Sequence, residues 1–142
     1  MKTSSIQDCQ LIDINQIGDR RGHITAVENH NEIPFDIKRV YYLYDVPSGE
    51  ERGGHAHKEL QQLIVAASGS FDVVVDDGTN KKTFSLNRPN KGLYFPAGLW
   101  REINNFSSGA TCLVLASHVY QEEDYFRDYK DYIKFIKQNK PY

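Results

Sequence analysis

Gly49-Glu50-Glu51-Arg52-Gly53-Gly54-His55-Ala56-His57-Lys58-Glu59-Leu60-Gln61-Gln62, followed by Gly69, sets two histidines two residues apart. Side chains alternate along an extended segment, so His55 and His57 point to one face. If that face lines the interior of a barrel, two imidazoles about 6–7 Å apart along the strand share one cavity. Such a pair suits a metal site, an acid–base pair or an exposed loop, and the His-x-His alone does not separate these.

The surrounding chain reads as short strands. Segments rich in β-branched and aromatic residues cover 9–17, 23–28, 37–46, 59–67, 70–76, 82–86, 92–95, 101–105 and 111–118. Ser68-Gly69 and Asp77-Gly78-Thr79-Asn80 are turn signals, both expected to close hairpins. About nine strands in so short a chain predict a barrel or a two-sheet jelly roll. Residues 122–138 differ: Tyr125, Tyr129, Tyr132, Ile133 and Ile136 recur at spacings of 3 and 4. Acids lead and lysines follow, so one C-terminal amphipathic helix is expected, packed on the barrel.

Composition excludes several classes. The 142 residues suit a single domain, with the barrel over about 10–120 and the helix over about 122–138. Seventeen Lys+Arg against nineteen Asp+Glu leave a net charge of -2, without the basic excess of a nucleic-acid binder. No run of about 18 apolar residues is present, so no membrane-spanning helix is expected. The first ten residues lack a signal-peptide pattern, so a cytoplasmic location and reduced Cys9 and Cys112 are expected.

The stretch from Gly49 to Gly69 matches the first motif of the cupins in spacing: glycine, five residues, His-x-His, four residues, position 62, six residues, glycine. Pro96-x-Gly98-x-x-Arg101-x-x-x-Asn105 matches the second, although Asn90 stands where its leading glycine belongs and Gly92 lies nearby. The chain therefore resembles a cupin from about 39 to 118. Metal cupins hold an ion with two histidines, a glutamate and a third histidine. Here Gln62 takes the glutamate position and Arg101 that of the third histidine. A guanidinium stays charged and offers no lone pair, and beside two histidines it repels a divalent ion. A barrel without a metal is expected. Glu59 is a weak substitute carboxylate, three residues short of the motif position.

A cavity with two histidines and two arginines suits acid–base chemistry on an anionic substrate. Tyr41 or Tyr42 should face it, and parity with Arg39 and Leu43 favours Tyr41. Trp100 caps the cavity, stacks on a base or simply packs.

A closer likeness runs through Asp19-Arg20-Arg21-Gly22, Glu28, Ile33-Pro34-Phe35, Lys38-Arg39-Val40-Tyr41-Tyr42, Arg52-Gly53-x-His55-Ala56-His57-Lys58, Asp76-Asp77-Gly78 and Leu115-Ala116-Ser117. From about 12 to 132 the chain resembles the sugar 3,4-ketoisomerases of thymidine-diphosphate sugar metabolism. The resemblance implies an all-β, RmlC-like cupin jelly-roll β-barrel with one C-terminal α-helix. It implies a cofactor-independent isomerase that converts dTDP-4-dehydro-6-deoxyglucose to a dTDP-3-dehydro-6-deoxyhexose for 3-amino-sugar synthesis. His55 and His57 are the implied catalytic pair, with His55 the carbon base and His57 the oxygen shuttle, or the reverse. Arg52 and Arg101 would hold the enediolate or the diphosphate, and Tyr41 and Gln62 complete the substrate-binding set. Arg21 would reach the diphosphate or the thymine, in the partner's site if the homodimer exchanges its N-terminal strands. The related 3,5-epimerases share the pattern Arg52-x-x-His55, so an epimerase remains the rival enzyme and a non-catalytic sugar-nucleotide-binding cupin the rival of another class.

Overall fold

The inward rows of two antiparallel sheets make the core. The computed structural model describes residues 3–139. One sheet runs in spatial order β1 (Gln10–Asp13), β9 (Lys91–Phe95), β6 (Gln62–Ser68), β11 (Thr111–Ala116) and β4 (Arg39–Leu43). The other runs β12 (Tyr125–Phe126), β5 (Arg52–His57), β10 (Trp100–Asn104), β7 (Phe71–Asp76) and β8 (Lys81–Leu86). A separate hairpin pairs β2 (Gln16–Asp19) with β3 (Gly22–Thr25). From β4 to β7 each successive strand changes sheet, the weave of a jelly roll. The all-β cupin architecture with one C-terminal helix is therefore present.

Alternation decides which side chains meet. Ile64 and Ala66 of β6, Val73 and Val75 of β7, Ile103 of β10 and Val114 of β11 fill the space between the sheets. Strand β6 is buried on both faces, because Leu63 and Val65 pack outward under Ile33 and Phe35. The outer face of the second sheet is covered in turn by the helix α1 (Tyr129–Asn139), through Tyr132, Phe135 and Ile136 against Ala56 and Trp100. Trp100 thus packs beneath the helix, on the face of its sheet away from the core. Cys9 and Cys112 are both buried and free.

Of the local expectations, one holds and two change. Ser68-Gly69 closes no hairpin, since β6 and β7 lie in different sheets; the chain turns a corner between them. Gly69 has φ +65°, and a Cβ there would sit 2.8 Å from Ala110 Cα. Asp77–Asn80 does close a hairpin, with the Asp77 carboxylate accepting the amides of Thr79 and Asn80. Strand β5 runs through Gly53-Gly54, a pair that carries no strand signal.

The helix begins seven residues later than expected. Residues Glu122–Asp124 form a 3-10 turn, and Tyr125 and Phe126 pair with His57 and Ala56 of β5. Ladder bonds and the Asp124 side chain hold this segment extended, which overrides its helical spacing. Asp128 then caps α1: its carboxylate accepts the Lys130 amide at 2.8 Å and its carbonyl that of Tyr132 at 3.1 Å.

Tyr132 locks the helix to the sheet. It is fully buried, and its hydroxyl reaches the carbonyls of Gly98 at 2.9 Å and Asp76 at 3.2 Å. Tyr132→Phe should cost about 1 kcal/mol in urea unfolding, the value of one buried hydrogen bond. Tyr132→Ala should cost about 3–5 kcal/mol, as expected when a large buried ring is removed.

Candidate active site

A polar cluster occupies one end of the inter-sheet space, where the inward rows run out of apolar residues. Gln62 continues the row of Ile64 and Ala66, Arg101 that of Ile103, and Tyr41 faces inward from β4. His55 and His57 share the inward face of β5, while Ala56 between them turns to the helix. Their rings meet edge to face with centroids 4.8 Å apart. The expected same-face pair is thus present.

Strand β5 carries a bulge that matters for this end. Arg101 pairs with His55, but Ile103 pairs with Arg52, so β5 spends one extra residue across that interval. Gly53, at φ +73°, sits within it. The extra residue brings Arg52 into register with the inward-facing Ile103. Without it, residues three apart on a strand would face opposite ways. Arg52 therefore stands at the mouth of the cluster, exposed.

Arg101 is the hub. Its side chain is almost wholly buried, and among the described residues no carboxylate pairs with it. One Nη2 donates to the Tyr41 hydroxyl at 3.0 Å and lies 2.9 Å from His55 Nε2. A guanidinium can only donate, so His55 accepts at Nε2 and carries its proton at Nδ1. Gln62 Nε2 donates to the same Tyr41 oxygen at 2.9 Å. With two donors already on that oxygen, the Tyr41 proton is left to point elsewhere. Arg101 Nε and Nη1 and Arg39 Nε are buried without hydrogen-bond partners among the described residues, a set of donors suited to a bound anion.

Asp124 enters from the 3-10 turn. Its carboxylate accepts the amides of Glu59 at 2.8 Å and Leu60 at 3.2 Å, and lies 3.4 Å from His57 Nδ1. Tyr125, next in the chain, sets its ring edge-on to His57 with centroids 4.3 Å apart and tilted to His55 at 5.1 Å. Arg127 covers the other face of this region with its guanidinium 4.3 Å from the Tyr125 ring, held by Glu122 at 2.8 Å. Arg39 lies over the Tyr41 ring at 5.1 Å. None of these four was singled out in the sequence for the site. Asp124 and Tyr125 belong to a segment whose spacing reads as helix, and only pairing with β5 brings them here.

The electrostatics favour neutral imidazoles. Burial, reinforced by Arg101, drives His55 down to about 2. Burial also lowers His57, to about 4, against the upward pull of Asp124. Burial pushes Asp124 up, but His57 and the two amides outweigh it and leave the carboxyl below its ordinary value.

Two cavities adjoin the cluster. One of about 170 Å³ is lined by Tyr41, Arg52, His55, Arg101 and Arg127. Another of about 390 Å³ is lined by Tyr42, Tyr44, Pro47 and Arg52, and the two share Leu43 and Arg52. Six of the seven expected site residues, His55, His57, Tyr41, Gln62, Arg101 and Arg52, therefore lie together. Arg21 does not join them within one chain: it is at the tip of the β2–β3 hairpin, exposed and paired with Asp19 at 2.8 Å. Glu59 is exposed, and its contribution to the cluster is its backbone amide.

The comparisons with known proteins agree with this geometry. Residues 7–137 match the family described as FdtA: WxcM-like, C-terminal. The chain is 43% identical over 127 residues to TDP-4-oxo-6-deoxy-alpha-D-glucose-3,4-oxoisomerase of Aneurinibacillus thermoaerophilus, covering 89% of this chain and 91% of that one. A 3,4-ketoisomerase from Helicobacter canadensis superposes with TM-score 0.89 at 46% identity, over 92% of this chain and 98% of that one. A variant of the 3,4-ketoisomerase QdtA from Thermoanaerobacterium thermosaccharolyticum, solved with TDP-4-keto-6-deoxyglucose, superposes with TM-score 0.93 at 38% identity, over 97% and 100%. Solved sugar epimerases stand at 20% and 17% identity and share the fold alone. By sequence and by structure alike, the chain belongs to the FdtA, WxcM-like family, alongside the sugar 3,4-ketoisomerases.

Proposed function

We propose that this chain is a sugar-nucleotide 3,4-ketoisomerase that converts TDP-4-keto-6-deoxyglucose to a TDP-3-keto-6-deoxyhexose. The observation that carries the reading is two largely buried, same-face imidazoles beside a buried guanidinium that no carboxylate among the described residues pairs with. The relatives named above act on, or were solved with, this class of substrate. The smaller cavity suits the hexose. The adjoining one, with exposed Tyr42 and Tyr44 at its wall, suits the nucleoside diphosphate, and Arg52 stands between them.

The reaction moves one proton from C3 to C4 and another from the C3 oxygen to the C4 oxygen. His55, which lines the cavity, takes the C3 proton, and the C–H electrons form an enediolate across C3 and C4. Arg101 supports the charge that develops on oxygen. As the C4 carbonyl oxygen of the bound sugar engages Arg101 Nη2, the donor now shared between His55 and Tyr41 is drawn away, which frees the His55 lone pair before the C3 proton is taken. His57 carries the proton between the two oxygens, and the Tyr41 hydroxyl donates to one of them. Return of the proton to C4 completes the isomerisation. No redox cofactor is required by this balance, since one carbon is oxidised as its neighbour is reduced. The 3-keto product suits amino transfer at C3.

The chain is further expected to act as a homodimer in the cytoplasm. Support for the dimer comes from the β2–β3 hairpin, where Ile17 and Ile24 are 63% and 70% exposed. Arg21 at its tip would then serve the partner's site. The two unpaired thiols fit a reducing compartment.

Proton NMR of the protein with TDP-4-keto-6-deoxyglucose in deuterated water should show deuterium at C4 and a new 3-keto sugar. Exchange at C3 or C5 without carbonyl migration would instead mark an epimerase, and bound TDP without exchange a binding module. His55→Asn should lower kcat by about 10²–10⁴-fold, the usual worth of an acid–base group, with TDP affinity retained. The rate should stay level from pH 8 to about 5 and fall toward pH 4. His57 has a depressed value of about 4, so it keeps its lone pair through weak acid and loses it only there. Mixing Arg21→Ala with His55→Asn protein should restore activity at about one site in four, because half the random dimers hold one site with both native residues.

A further inference from the structure

We infer that Asp124 is a positioning residue: it sets the ring orientation and tautomer of His57, placing the proton at Nδ1 and leaving Nε2 as the atom that exchanges protons. The inference rests on the 3,4-ketoisomerase reading and adds a residue to it. Three observations carry it. The Asp124 carboxylate lies 3.4 Å from His57 Nδ1, with His57 buried and Asp124 nearly so. That carboxylate cannot drift, because the amides of Glu59 and Leu60 hold one oxygen each. Finally, both ring nitrogens of His57 are buried without a formed hydrogen bond among the described residues, and the carboxylate contact falls on Nδ1, leaving Nε2 open.

The surroundings leave no other group for this task. His57 is faced by His55 on its own strand, Arg101 on β10, Arg39 on β4 and Tyr125 on β12. Arg101 and Arg39 are cations, and both oppose a proton on the ring. Asp124 is the one anion in this set. A carboxylate accepts only, so the ring must present N–H toward it. At 3.4 Å the contact is longer than a formed hydrogen bond, as catalytic contacts often are before substrate binds. The neighbouring pair works the opposite way: Arg101 donates to His55 at Nε2. The two imidazoles are thereby held in the same tautomer by partners of opposite charge, and only His57 keeps Nε2 unengaged.

The placement has a topological origin. Asp124 ends the 3-10 turn and Tyr125 opens β12, whose pairing of Tyr125 with His57 brings the carboxylate alongside the ring. One segment thus delivers both the carboxylate and the aromatic wall.

Nitrogen-15 NMR of histidine-labelled protein without substrate tests the tautomer directly. At pH 7, His57 should show the proton on Nδ1; a proton on Nε2 would overturn the inference, whatever the enzyme's activity. Asp124→Asn keeps an acceptor for one of the two amides and removes the charge. It should lower kcat about 10²-fold, leave KM within threefold, and move the His57 titration below its value of about 4, with the acid limb of kcat following. Asp124→Glu should recover part of the rate. An Asn variant that folds, binds TDP and keeps kcat within threefold of the parent would overturn the assignment. Should the parent protein fail to isomerise the sugar, the functional reading falls by itself, and the tautomer measurement still decides the role of Asp124.

Discussion

A buried guanidinium without a carboxylate partner organises this protein. Isolated charges are costly to bury, and structures usually neutralise or pair them. Arg101 is instead held by the hydroxyl of Tyr41 and the ring of His55, neither of which carries a compensating charge. Its Nε and Nη1 have no hydrogen-bond partner among the described residues. The protein tolerates this because the strands around Arg101 are fixed by ladders on both sides, to β5 and to β7. The consequence is a cavity with a permanent positive potential, in which imidazoles stay neutral and a developing oxyanion is welcome.

The same constraint explains the division of the interior. Toward Ile64, Ile103 and Val114 the inward rows are apolar and close-packed. Toward Gln62, His55 and Arg101 they become polar without becoming exposed. Stability and chemistry thus share the same strands at different residues. The helix α1 contributes to the apolar side of β5 through Ala56, and the segment before it contributes to the polar side through Asp124 and Tyr125. Docking of the C-terminal segment therefore supports both the fold and the site.

Much of this arrangement was legible from the chain alone. The His55-x-His57 parity follows from local spacing, parity with Arg39 and Leu43 favoured Tyr41 over Tyr42 as the inward ring, and the resemblance to cupins marked Gln62 and Arg101 as replacing a glutamate and a histidine. Two features misled local reasoning. The segment 122–128 has helical spacing, yet it forms a 3-10 turn at Glu122–Asp124 and then a short strand at Tyr125–Phe126, held by tertiary hydrogen bonds. Ser68-Gly69 has the composition of a hairpin turn, but a turn sequence does not say which sheet the next strand joins. The inward register of Arg52 depends on a bulge that becomes visible only when β5 is paired with β10.

By itself the sequence determined the alternation of inward and outward residues, the all-β class and the residue types at the site, because these depend on neighbours within a few positions. Only the tertiary structure decided that Asp124 stands beside His57, that Arg101 donates to His55 and not to a carboxylate, and that Arg21 lies apart from the site of its own chain. Those relations join residues 46 and 67 positions apart, or keep apart residues that the family likeness would combine. They are set by which strand edges pair and in what register, a choice made by the whole core and not by any one segment.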